Sequence, residues 1–165
     1  MSEDIVYHPI GILHTPFRDL AGMPIQPTGE ASAPGTAEVF PSFASGLKDL
    51  EGFSHLILLY HLHQVQRTDL RLVPFLGSET RGVFATRAPT RPNPIGLSVV
   101  RLQAIENNVL HLANVDILDG TPLLDIKPYV PAFDRPKRAR AGWLEAAQGE
   151  VRTRQSDDRF RSGRG

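Results

Sequence analysis

The chain reads as an all-β protein, a mixed-sheet β-barrel or pseudo-barrel of about six to seven strands with one short helix. Three observations predict this. Short apolar runs recur along the 165 residues, at Ile5–His14, Ser54–His63, Leu97–Ile105, Val109–Ile117 and Leu123–Ile126. Turn signals rich in proline and glycine, 14 of each, separate them, and such punctuation marks strands of a barrel or sandwich. Helical segments long enough for parallel crossovers are too few, and the glycine-rich dinucleotide fingerprint is missing.

In chain order, Ile5–His14 is a first strand, with Pro9 and Gly11 marking an edge or bulge. Thr15–Thr36 holds four prolines and three glycines, a loop long enough to be functional or mobile. Val39–Phe40 suits a short strand. Pro41–Leu50 suits the helix, with Phe43, Leu47 and Leu50 on one face and Gly52 beyond its end. Ser54–His63 is a nearly unbroken apolar run, the pattern of a strand covered on both faces. Gln64–Glu79 is an irregular crossing and Arg81–Thr86 a strand. Leu97–Ile105 and Val109–Ile117 form a hairpin about the turn Glu106-Asn107-Asn108. Asp119-Gly120-Thr121-Pro122 is a further turn before Leu123–Ile126, and Trp143–Ala147 suits a helical turn.

Composition bounds the chemistry. No cysteine is present, which excludes disulfides, zinc–thiolate sites, iron–sulfur clusters and thiol nucleophiles. The start, Met1-Ser2-Glu3-Asp4, is acidic with no apolar stretch behind it, so no signal peptide is expected. No apolar run approaches the ~20 residues of a membrane span. A soluble cytoplasmic protein is the expectation. Net charge is zero, yet residues 1–133 carry net −4 and residues 134–165 net +4. The expected division is a barrel domain over 1–133 and a basic, partly disordered tail over 134–165.

Residues 82 to 101 carry the strongest functional signal. The loop holds Pro89, Pro92, Pro94 and Gly96, and each proline fixes its own φ and pushes the preceding residue toward extended backbone. On this stiff loop sit Arg87, Arg91 and Asn93. Forked cations and an amide held rigidly at a strand end suit ligand positioning, the alternative being a proline-rich connection with solvated arginines. The Asn93 side chain and the adjoining carbonyl can accept both hydrogens of an exocyclic amine, aiming its lone pair at an electrophile.

Other constellations are weaker. His61 and His63 alternate as in cupin-type metal sites, but a third and fourth ligand are not evident, and no metal is assigned. No nucleophile elbow, His-Glu-x-x-His or phosphate-binding loop occurs. Asp116, Asp119 and Asp125 are candidate carboxylates, although Asp119-Gly120-Thr121-Pro122 equally suits a turn in which the aspartate bonds the backbone two residues on.

Several segments, in order from Ile10 to Pro131, resemble the TsaA-like (TrmO) family. They are Ile10-Gly11-Ile12 with Thr15-Pro16-Phe17, Gly46 to Leu56, Gly82 to Arg87, Arg91-Pro92-Asn93-Pro94-Ile95-Gly96-Leu97-Ser98, and Leu118-Asp119-Gly120-Thr121-Pro122 with Asp125-Ile126-Lys127-Pro128-Tyr129. The resemblance implies a small β-barrel homodimer that binds S-adenosylmethionine near the subunit interface. It implies methylation of N6 of threonylcarbamoyl-modified adenosine 37 in the anticodon loop of certain tRNAs. Carried over by motif, it implies cofactor contacts at Gln26, Pro27, Thr28, His63, Gln64, Arg91, Leu118, Asp119, Gly120, Thr121 and Pro122. Asn93 becomes the candidate for aligning the acceptor amine, and Arg87 and Lys127 candidates for nucleic-acid contact. Ala88 and Thr90 stand where the family often has serine and phenylalanine; an aromatic at position 90 is able to stack on a base. A non-catalytic S-adenosylmethionine- or RNA-binding adaptor is the alternative.

Overall fold

Six strands close on themselves because each carries apolar residues at every second position, and one row of them must leave water. The computed structural model describes residues 2–19 and 33–150, the side chains of 147–150 excepted. The barrel strands are β1 (Gly11–His14), β2 (Gly35–Val39), β3 (His55–His61), β6 (Ile95–Glu106), β7 (Val109–Ala113) and β8 (Thr121–Pro128). Their order around the barrel is β1-β2-β7-β6-β3-β8. The sheet is not mixed: every ladder is antiparallel, as expected where strands connect through turns and loops rather than crossover helices. A two-stranded ribbon, β4 (Arg71–Leu72) with β5 (Arg81–Gly82), stands apart from it.

The interior is filled by Leu13, Ala37, Val39, Leu56, Leu58, Val100, Leu110, Leu112 and Leu123, all buried. A barrel this narrow has room for side chains and nothing else. Any ligand must therefore bind at an end or on the outside.

Several elements differ from the sequence reading. The first strand begins only at Gly11, and Ile5, Val6 and Tyr7 are exposed. Gly35 and Thr36, read as the end of the long loop, and the unassigned Ala37 and Glu38 pair with β1 or β7. The helix expected at Pro41–Leu50 is two 3₁₀ segments, Pro41–Leu47 and Leu50–Gly52, broken at Asp49, whose φ is 67°. A 3₁₀ turn has three residues, so Ala44, Leu47 and Leu50 face inward while Phe43 is exposed. The strand expected at Arg81–Thr86 stops at Gly82 and continues as the 3₁₀ turn Val83–Ala85.

The central strand β3 is not covered on both faces. Leu56, Leu58 and Tyr60 point into the barrel, whereas Ile57 and Leu59 are only partly buried outside. On the adjoining β6, Val99 lies opposite Ile57, Leu97 opposite Leu59 and Ile95 opposite His61. Ile95 and Leu97 remain 43% and 48% exposed. The unbroken apolar run thus encodes a core face and a second apolar face that nothing in this chain covers among the described residues.

Two tethers position the surroundings of the site. Thr15 N–H donates to Asp119 Oδ1 at 3.0 Å, Asp119 N–H to Phe17 O at 2.6 Å, and Val115 N–H to Ala33 O at 3.1 Å. Beyond the short helix α1 (Pro131–Asp134), Trp143 packs against the two-stranded ribbon and the turn after it: its indole N–H donates to Ala85 O at 2.8 Å, and the Arg81 guanidinium lies 5.3 Å from its ring centroid. Among the described residues no helix is long and apolar enough to cross a membrane.

Candidate functional site at one end of the barrel

β3 leaves the barrel where β6 and β8 enter it, and a small cleft of about 70 Å³ opens at that end. Its walls are Tyr60, Leu62, His63, Gln64 and Val65 after β3, Pro89 from the stiff loop, and Asp116, Ile117, Leu118 and Thr121 before and at the start of β8. Segments far apart in sequence meet here because the antiparallel ladders bring the end of β3 beside the start of β6 and the start of β8.

Of the residues implied by motif, His63, Gln64, Leu118 and Thr121 line this cleft. The Thr121 hydroxyl donates to Leu118 O at 2.7 Å and lies 3.4 Å from His63 Nδ1. Burial and the neighbouring His61 push the His63 pKa below its ordinary value, which favours the neutral ring. Asp119, Gly120 and Pro122 complete the same turn, with Gly120 at φ 77° where a side chain strains the backbone. The Asp119 carboxylate bonds Thr15 N–H across the fold; no bond to the backbone two residues on is seen. Gln26, Pro27 and Thr28 lie outside the described residues.

The stiff loop alternates. Thr86, Ala88 and Thr90 point inward and are buried, while Arg87 is exposed. Arg91 Nη1 donates to three carbonyls, Val83 O at 3.2 Å, Thr86 O at 2.8 Å and Ala88 O at 3.1 Å. One guanidinium nitrogen therefore pins the loop's own backbone beside the cleft. Thr90 is 0% exposed, so in this chain position 90 offers no side-chain surface to a base. Arg91→Ala is expected to lower stability by about 1–3 kcal/mol, since it strips three carbonyls of a charged donor. Urea denaturation of Arg91→Ala checks this.

Asn93 is exposed and outside the cleft wall. Its backbone carbonyl accepts from Ile95 N–H at 2.7 Å and that of Pro94 from Leu62 N–H at 2.8 Å, so the carbonyl expected to receive an amine already bonds the barrel. Lys127 is not brought to the cleft. It lies toward the far end of β8, and its ammonium is 2.8 Å from Asp125, which raises its pKa. Among the described residues no group of three or more His, Cys, Asp or Glu is placed to hold a metal.

Asp116, in the sequence only one of three candidate carboxylates, acquires defined partners in the structure. Its Oδ1 accepts from the Ser98 hydroxyl at 2.7 Å, and Ser98 Oγ lies 2.8 Å from the Tyr60 hydroxyl. With the Ser98 proton directed to the carboxylate, Tyr60 is the donor to Ser98. Burial pushes the Asp116 carboxyl up to about 6, against the pull of the Ser98 bond and the Arg87 charge. Burial likewise pushes the Tyr60 phenol well above its ordinary value. Gly96 makes the arrangement possible: a Cβ there would lie 2.1 Å from the Tyr60 ring.

Comparison with known proteins agrees with this geometry. Residues 12–135 match the family model of the tRNA-methyltransferase O N-terminal domain. A protein of Pyrococcus abyssi described as a probable S-adenosyl-L-methionine-binding protein is 53% identical over 156 residues, 94% of this chain and 85% of its own length. The tRNA (adenine(37)-N6)-methyltransferase of Escherichia coli is 36% identical, covering 86% of this chain. A crystal structure of TrmO from Pseudomonas aeruginosa superposes with a TM-score of 0.73 at 42% identity, over 86% of this chain. The chain spans only 64% of the Escherichia coli protein and 63% of the Pseudomonas aeruginosa one. A family model that matches most of the chain, with barrel structures 42% identical to it, leaves one assignment: the chain belongs to the tRNA-methyltransferase O family.

Proposed function

We propose that the chain is an S-adenosylmethionine-dependent methyltransferase acting on N6 of adenosine 37, threonylcarbamoyl-modified, in the anticodon loop of tRNA. The cleft carries this reading, because His63, Gln64, Leu118 and Thr121 from the motif segments line it together with one ionisable carboxylate in a mostly apolar wall. Bound S-adenosylmethionine supplies a methyl group already activated by its sulfonium charge, so the protein's task is alignment and exclusion of water. The donor set fits such a group. Leu62, Val65, Ile117 and Leu118 offer apolar surface for a purine, Gln64 and Thr121 offer polar contacts, and Asp116 offers negative charge beside a cation. At about 70 Å³ the cleft is smaller than a ligand pocket usually is, and a second subunit supplies the remaining wall.

Arg87, exposed at the rim, meets substrate phosphate with a planar fork. An anticodon-loop adenosine is already unpaired, so presenting it requires no opening of a duplex. The apolar outer face of β3 and β6 supports a homodimer, since a second copy would cover Leu97 and Ile95. The enzyme works in the cytoplasm with its substrate and uses no metal. The Pyrococcus abyssi relative is described by S-adenosylmethionine binding alone, and a non-catalytic S-adenosylmethionine- or RNA-binding adaptor is the second reading.

The test combines calorimetry with S-adenosylmethionine and mass spectrometry of nucleosides from tRNA incubated with both. Heat of binding together with a newly methylated threonylcarbamoyladenosine is the expected result. Binding without any methylated nucleoside favours the adaptor instead. Within this scheme Arg91→Ala is expected to weaken S-adenosylmethionine binding and Asn93→Ala to leave it unchanged; equal affinities for both variants and wild type contradict the assignment.

A further inference from the structure

We propose that Asp116 accepts the proton released by the acceptor nitrogen, with Ser98 and Tyr60 as the positioning residues that hold its carboxylate. The inference rests on the methyl-transfer reading of this cleft. Asp116 is the only carboxylate among the residues that line it. One of its oxygens is held by Ser98, and Ser98 by Tyr60. Tyr60 cannot swing away, because its ring lies against Gly96 inside the barrel. The carboxylate is thus fixed at the wall by a chain of bonds running into the rigid core, an arrangement that a merely solvated aspartate does not need.

The step balances as follows. The acceptor nitrogen forms its bond to the methyl carbon while the carbon–sulfur bond breaks, the bonding pair remaining on sulfur. The N–H proton passes to Asp116, which leaves as the acid and later returns the proton to water. Burial has made this aspartate a stronger base than an exposed one while leaving it ionised at pH 7. The other charged or titratable groups facing it are Arg87 on the loop, Tyr60 on β3 and, in the same cleft, His63. His63 titrates below its ordinary value, so an acid limb in the rate needs variants to assign it.

Single-turnover transfer of labelled methyl into threonylcarbamoyladenosine-bearing tRNA is measured against pH with the full chain. The wild-type rate is expected to rise with pH as Asp116 ionises, at or below the value of about 6 of the unliganded carboxyl because the sulfonium charge favours the carboxylate, and then to level off. In Asp116→Asn that limb disappears and the plateau falls by roughly 100-fold or more, while calorimetry still finds S-adenosylmethionine bound, at the lower affinity expected when a negative charge beside the cation is removed. Ser98→Ala keeps the carboxylate but removes its donor, which raises its pKa, so the limb moves to higher pH. In the unliganded protein, carbon-13 NMR should show a carboxyl titrating near 6 that is missing from Asp116→Asn. Transfer by Asp116→Asn near the wild-type rate, or an acid limb that survives there and vanishes in His63→Gln, overturns the proposal and leaves the methyltransferase reading standing. Wild type that binds S-adenosylmethionine yet transfers nothing overturns both.

Discussion

Gly96→Ala is expected to lose about 3 kcal/mol of stability, at the upper end of what overpacking produces, and to disturb the cleft along with the core. The added Cβ would lie 2.1 Å from Cε2 and 2.5 Å from Cζ of Tyr60, far inside van der Waals contact. Neither side has an easy retreat. Gly96 is held in β6 opposite Tyr60 itself, and the phenol is buried with its hydroxyl on Ser98. Moving the ring breaks the Tyr60–Ser98 bond and loosens the support of Asp116, so methyl transfer should fall together with stability. Urea midpoints measure the effect, and a double-mutant cycle assigns its cause. In a Tyr60→Ala background the same alanine should cost almost nothing, because the clash has been removed. A Gly96→Ala protein with the wild-type midpoint sinks the argument.

Asp116→Asn is expected to be more stable than wild type, relative to its own offset at pH 4, once the pH exceeds 6. The folded-state pKa is raised from 3.8 to about 6 by burial, so folding favours the protonated acid. That contribution is fully present below the unfolded-state pKa and is lost as pH rises through the folded-state value. Asparagine does not titrate. The stability difference between variant and wild type should therefore shift in favour of the variant by roughly 2–3 kcal/mol between pH 4 and pH 8. Comparing the two pH values cancels any packing change made by the substitution itself. A difference that stays flat with pH, or moves the other way, shows that the carboxylate is not desolvated. The expected pairing of higher stability with lost turnover is what an active site that holds an ionised group away from water should show.

Much of the barrel was legible because its strands alternate. The β6–β7 hairpin and β8 follow from period-two patterns and turn residues alone. Val83-Phe84-Ala85 misled because an apolar triplet suits a strand, yet whether it pairs depends on a partner, and β4 offers only Arg71 and Leu72. β2 was hidden by Gly35 and Thr36, which have little strand character and extend only because β1 and β7 flank them. At the site, the turn at Asp119–Pro122 and the loop at Arg91 were visible as local chemistry. Asp116 was visible only as one of three candidate carboxylates. Its partners Ser98 and Tyr60 belong to other strands, and a lone aspartate between Val115 and Ile117 has the spacing of an ordinary outward residue. The role of Arg91 was half visible: the sequence shows a fork on a stiff loop but not that one tine grips the loop's own carbonyls.

The bonds from Thr15, Phe17 and Ala33 to the 115–119 stretch have an engineering consequence. Both ends of the intervening sequence are moored to the same short piece of chain, the piece that also walls the cleft. Length changes between the moorings add little loop-closure entropy and leave the barrel ladders alone. A segment transplanted from a relative, with Thr15 and Asp119 retained, should therefore leave the way the protein folds unaltered.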